Sequence, residues 1–139
     1  MRITVIDASN YLRGLLLLIR IDRKITQSEI DLMRRIGKAL GFEKKFCENA
    51  ISEILENTYI VDEPPLFSQK ELAMKFVKDG LSLALSDNEV HPREEAWLRS
   101  TAEKNGLDID FFSQERENAR NRKEYPVHLE VDGLTVEHS

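Results

Sequence analysis

Apolar residues recur three and four positions apart over six stretches of this 139-residue chain, and that spacing predicts six amphipathic helices. The first covers about residues 8–21, with Leu12, Leu15, Leu16 and Ile19 on one face and Asp7 or Ser9 placed to cap it. The second opens at Thr26-Gln27-Ser28-Glu29, a capping box in which the Thr hydroxyl and the Glu carboxylate satisfy each other's backbone amides. Ile30, Met33, Ile36, Gly37 and Leu40 form its inner stripe, and Gly41 stops it. A third, about 43–57, turns Phe46, Cys47, Ala50, Ile51, Ile54 and Leu55 inward. Residues 58–67 carry Pro64-Pro65 and read as a linker. Ser68 to Glu71 reads as another capping box, opening a fourth helix through Leu72, Phe76, Gly80, Leu83 and Ala84. The fifth has His91 as cap, Pro92 at its first position and Glu94 at its third, then Trp97, Leu98, Thr101 and Ala102 up to Gly106. The sixth runs over about 109–123, and its second half is almost wholly polar.

The period then changes. Val127 to Val131 alternates, Asp132-Gly133 is a type I′ turn signal, and Leu134 to Glu137 alternates back. The pattern predicts a β-hairpin over 127–137 with Leu129, Val131, Leu134 and Val136 on one face. Four such side chains need cover, since burying each is worth roughly 1.5–3 kcal/mol. Residues 2–6 are the preferred cover, as a third strand. Docking on another chain, as a homodimer joined through the hairpin's open edge, is the alternative.

The helical pattern also repeats. Asp22-x-x-Ile25-x-x-x-Glu29 aligns with Asp87-x-x-Val90-x-x-x-Glu94, and the register continues through Met33/Leu98, Arg34/Arg99 and Gly41/Gly106 without a gap. Ile25 and Val90 read as buried equivalents, as do Phe46 and Phe111. The expected fold class is therefore all-α, two pseudo-symmetric three-helix halves. The expected division is a helical domain at 1–124, with halves at about 8–57 and 68–123, and a hairpin tail at 125–139.

Charge narrows the function classes. A net charge of −5 argues against a general nucleic-acid binder. The most apolar run, Leu15 to Ile19, is too short to span a bilayer, which needs roughly 20 residues. A single cysteine, Cys47, cannot form an intrachain disulfide and favours a reducing, cytoplasmic setting. It sits on an apolar face and reads as a buried, inert thiol. Arg116 and Arg120, with Arg122 and Lys123, form a local basic patch interleaved with Glu115, Glu117 and Glu124. That composition reads as a solvated helix face, with an anionic partner or peripheral membrane contact as the less favoured use.

Two aspartates, Asp22 and Asp87, stand where a helix ends, a position the helix dipole disfavours. The plain reading is that each carboxylate accepts amides of the following tight turn. The alternative is a divalent cation held by Asp22 and Glu29, or by Asp87, Glu89 and Glu94. The second set is the better one, because Arg23 and Lys24 would repel a cation in the first. The spacing is too short for an EF-hand loop. No nucleophile–base pair, phosphate loop or Cys-x-x-Cys occurs, so a small hydrolase is the least favoured class.

The doubled Asp-x-x-Ile/Val-x-x-x-Glu motif, each followed by an apolar helix and Gly-Phe or Gly-Leu, resembles the TerB-like family. That family includes the tellurite-resistance protein TerB and the N-terminal domain of certain membrane-anchored J-domain co-chaperones. The resemblance spans about residues 8–122. It implies two helical halves, a bacterial stress-linked role without catalysis and, by position, cation-binding acids at Asp22, Glu29, Asp87 and Glu94. The family's usual Asp-Gly turn is Asp22-Arg23 and Asp87-Asn88 here. The reading that follows is a non-enzymatic interaction module with a protein partner. The runner-up is a cation-binding stress or metal-sensing protein.

Overall fold

A computed structural model describes residues 1–21, 25–57, 59–85, 91–122 and 128–137. A short strand, β1 (Arg2–Thr4), leads into six helices: α1 (Val5–Arg20), α2 (Gln27–Ala39), α3 (Lys44–Glu56), α4 (Lys70–Ala84), α5 (Pro92–Lys104) and α6 (Ile109–Asn121). A 3₁₀ turn over Glu130–Gly133 and a last strand, β2 (Thr135–Glu137), follow.

The repeat governs this layout. Helix starts at 5 and 70, 27 and 92, and 44 and 109 all differ by the same 65 positions as the sequence motif. Both middle helices stop in the same way. Gly41 and Gly106 have φ of 81° and 73°, and Phe42 N and Leu107 N donate back to Gly37 O and Ala102 O at 3.1 and 2.9 Å. These are the two chain reversals that a residue tolerant of positive φ permits.

α1 and α4 form the centre and pack on each other, α1 also against α2 and α3, α4 also against α5 and α6. Their sequences explain the position. α1 buries Tyr11, Leu12 and every residue from Gly14 to Ile19, and α4 buries Leu72, Ala73, Phe76, Val77, Leu81 and Leu83. Helices apolar on most of their circumference need neighbours on most sides. The outer helices carry a single apolar stripe each and shield the central pair.

Several expectations need correction. α1 begins at Val5, three residues early, because the Thr4 hydroxyl accepts from Asp7 N at 3.1 Å. Asp7 and Ser9 are not the cap, and Val5 and Ile6 belong to the exposed first turn of a helix rather than to a strand. The second capping box does not form. Gln69 is the N-cap of α4 and makes no side-chain bond, while Ser68 Oγ donates to Asp7 Oδ2 at 2.5 Å. Phe46 and Leu55 face outward, at 51% and 38% exposure. The equivalent core anchors of α3 and α6 are Cys47 and Phe112, one position beyond Phe46 and Phe111. Ile25 packs partly buried against the core, whereas Val90 lies outside the described residues.

The hairpin does not form either. Asp132-Gly133 closes a 3₁₀ turn, and β2 pairs in parallel with β1, Arg2 opposite Thr135, Ile3 opposite Val136 and Thr4 opposite Glu137. The expected pairing with the N-terminal segment is present, in a different form. The physical reason is Asp79. Its buried carboxylate accepts from Glu130 N at 2.6 Å and Val131 N at 3.0 Å, which bends the backbone into a helical turn where local alternation favours a strand.

The linker is not a loose tether. Asn105 Oδ1 accepts from Phe67 N and its Nδ2 donates to Pro65 O, both at 2.9 Å. Lys104 Nζ donates to Pro64 O and Trp97 Nε1 to Asp62 O. Phe67 is buried against Tyr11 and Phe76.

Candidate functional site

The residues expected to hold a cation fall into two groups. Asp22, Asp87 and Glu89 lie outside the described residues. Glu29 and Glu94 are both buried, at 3% and 2% exposure, on the third position of α2 and α5. Glu29 Oε1 accepts from Thr26 N at 3.0 Å and from the Thr26 hydroxyl at 3.1 Å, completing the capping box. At the other start, His91 Nδ1 accepts from Arg93 N at 3.2 Å. Among the described residues, no group of three His, Cys, Asp or Glu side chains is arranged to hold a metal ion.

The four tail residues, for which docking on another chain is the alternative to cover by the chain's own N-terminal segment, are core. Leu129, Val131 and Leu134 are buried at 1%, 0% and 6% exposure, and Val136 packs partly buried beside them. They cannot serve as an interaction face while the tail is seated. Arg116 pairs with Glu95, which Arg99 also approaches, while Arg120 is exposed. The basic patch is thus partly neutralised from α5.

Asp79 is the polar residue that sequence reasoning missed. It is 1% exposed on α4 and receives three donors: the Tyr11 hydroxyl at 2.5 Å and the two tail amides. Burial pushes its carboxyl up to about 6, opposed by those three bonds. Burial, then the neighbouring Asp79, raises the Tyr11 hydroxyl well above its ordinary value. The group joins α1, α4 and the tail. Its one sequence signal is an acid at a position where the α4 stripe is otherwise apolar. Cys47 is buried, and desolvation together with Glu48 raises its thiol, which disfavours the reactive thiolate.

Among the described residues, a groove with an apolar floor opens between two helices of the first half. It lies between α1 and α3, with a volume of about 280 Å³. Leu12 and Leu16 from α1, Ala50 and Ile54 from α3, and Ile60 from the linker line it, with Phe46 at its edge. Arg13 and Glu53 stand on its walls as one charge of each sign. Tyr59 and Val61, which flank Ile60, are exposed at 92% and 71%. A soluble domain rarely leaves several large apolar side chains together in water without a use. The groove was hidden from sequence reasoning because Phe46 and Cys47 are both apolar. Helical period alone does not decide which of two adjacent apolar residues turns inward.

No protein-family model, curated protein or solved structure matches this chain. No described helix is long and apolar enough to cross a membrane.

Proposed function

We propose that this chain is a non-enzymatic interaction module of the TerB-like kind, which receives an amphipathic helix of a protein partner in the groove between α1 and α3. The observation that carries the reading is the groove itself: an apolar floor between two helices, edged by the exposed Phe46 ring and bearing one cation and one anion. A helix laid in such a groove buries residues at i, i+3, i+4 and i+7. Arg13 and Glu53 would fix its direction by meeting an acid and a base on its flanks. The bacterial stress role and the cytoplasmic setting rest on the doubled motif and the single cysteine, and belong to the same proposal.

The test is a fluorescence-polarisation screen of amphipathic helical peptides against the full chain. A saturable binder is expected, weakened at least about tenfold by Phe46→Asp, because a charge at the groove's edge must be desolvated on binding. Phe46 is half exposed, so this variant should keep the wild-type circular dichroism. Peptides that bind Phe46→Asp as tightly as wild type would rule the groove out.

A further inference from the structure

The two halves act as controls for each other, and one surface breaks the symmetry. Residues 34–45 contain Arg34, Arg35, Lys38, Lys44 and Lys45 against one acid, Glu43, in a chain whose net charge is −5. Their counterparts 65 positions on are Arg99, Ser100, Glu103, Ile109 and Asp110. Apart from Arg34 and its counterpart Arg99, the fold therefore does not require cations at these places. The ends of α3 and α6 differ in the same sense. Asp108 caps α6 by accepting from Asp110 N at 3.0 Å, whereas Glu43 makes no cap bond and α3 carries lysines, not acids, in its first turn. Lysines there oppose the helix dipole.

The interior differs too. In the second half Phe112 is fully buried, and the Arg99 guanidinium lies over its ring at 5.5 Å from the centroid. In the first half the same two positions are Cys47 and Arg34. The smaller thiol packs against Gly37, where a Cβ would stand 2.3 Å from Cys47 Sγ. Beside it lies a cavity of about 450 Å³, lined by Arg34, Arg35, Lys38, Phe42, Lys44, Cys47 and Glu48. That volume is in the range of small-molecule sites.

The charges around the cavity are not all spoken for. Arg34 is held by Glu48, at 2.6 and 3.3 Å, and approaches Asp31 at 3.4 Å. Arg35 pairs with Asp132 at 2.6 Å. Lys38 and Lys44 make no direct ion pair among the described residues, although the carboxyl of Glu48, lowered by its bond to Arg34, has Lys44 near enough to help. Two exposed lysines thus line a space together with an aromatic ring, a thiol and the Arg34–Glu48 pair.

We propose that this cavity binds a small aromatic carboxylate, its ring against Phe42 and Cys47 and its carboxylate between Lys38 and Lys44. The ring takes the place that an aromatic side chain fills in the other half. The carboxylate supplies the direct ion-pair partner that neither Lys38 nor Lys44 has among the described residues. This site shares no lining residue with the groove between α1 and α3, although Phe42 stacks on Phe46 at 5.1 Å between ring centroids, and its test leaves Phe46 untouched.

The experiment is a titration of the ¹⁵N-labelled full chain with 3-phenylpropionate, following amide shifts. Saturable shifts confined to about residues 34–48 are expected, with a Kd of about millimolar or tighter for a ligand of this size. The neutral 3-phenylpropan-1-ol and the ringless propionate should each bind at least about tenfold more weakly. Lys38→Glu/Lys44→Glu, which alters only exposed side chains, should weaken 3-phenylpropionate by at least about tenfold. Cys47→Phe, which installs the second half's residue, should abolish binding. Should that variant fail to fold, the lysine pair decides the matter alone. Absence of saturable shifts, shifts centred on Leu16 and Ile60, an alcohol as tight as the acid, or a lysine variant or folded Cys47→Phe with wild-type affinity would each overturn the proposal.

Discussion

Asp79 shows how much one buried carboxylate can decide. Three donors point at its two oxygens, so the ionised form is the one that the geometry serves, yet burial raises its pKa to about 6. The folded state therefore holds the proton more tightly than the unfolded chain, whose ordinary value is near 3.8. Its contribution to stability is full below about pH 4 and is lost as pH rises through about 6, an effect of up to roughly 3 kcal/mol. Asp79→Asn should flatten this part of the profile while lowering stability at every pH, since an amide cannot accept on both sides. Urea unfolding at pH 4, 5, 6 and 7 is the measurement. Equal pH slopes for the two proteins would show that Asp79 does not titrate in this window.

Among the elements, the linker and the tail part ways with their local signals for the same reason: each is held by a polar side chain distant in sequence. Position 105 corresponds to Leu40, fully buried in the first half. In the second half it is Asn105, because the linker crosses there and brings Phe67 N and Pro65 O to be satisfied. Asn105→Leu restores the symmetric residue and should nonetheless destabilise the fold by about 2–4 kcal/mol, leaving a buried amide and carbonyl unpaired. Limited proteolysis should then cut within 59–69 sooner than in wild type. Unchanged cutting would mean that the prolines and the Lys104 and Trp97 bonds hold the strap without Asn105. The caps of α1 and α4 fall at Thr4 and Gln69 instead of the residues expected, whereas the caps of α2 and α5 and both glycine stops were legible in the sequence because they are set within four residues, at Thr26, Glu29, Gly41, His91 and Gly106. The 3₁₀ turn was not, because Asp132-Gly133 permits a hairpin and only Asp79, 51 residues from Glu130, chooses otherwise.

For the whole molecule, the repeat sets how closely the central helices approach. A Cβ on Gly80 would meet Leu98 Cδ2 at 2.6 Å and Leu18 Cδ2 at 3.3 Å, both side chains fully buried. Alanine is the better helix former by about 1 kcal/mol, but overpacking a filled core costs typically 1–3 kcal/mol. Gly80→Ala should therefore lower stability by about 1–2 kcal/mol, read from the denaturation midpoint at unchanged m-value. A gain in stability would mean that α1, α4 and α5 separate more easily than their packing suggests. The two-half plan was readable from one motif and its register. The groove and the cationic cavity were not. The cavity arises where the copies differ, at Cys47 and Phe112, and the groove at Phe46, which has the same residue at 111; which side chain fills a space depends on neighbours from other helices.

The pairing of β1 with β2 has a kinetic consequence. Met1 N donates to Gly133 O across 132 positions, so this contact closes nearly the whole chain into a ring. Closure entropy grows with the logarithm of ring size and must be met before the contact gives anything back. The helices of each half, in contrast, meet partners nearby in sequence. The bundle is expected to assemble first and the strands to zip last, and the reverse order should hold on opening. In native-state hydrogen exchange, the Thr135 amide, bonded to Met1 O at 2.8 Å, should be released by a partial opening of lower free energy than the amides at the centre of α1 and α4. If Thr135 and Leu15 exchange with the same free energy and the same denaturant dependence, strands and bundle come apart as one unit.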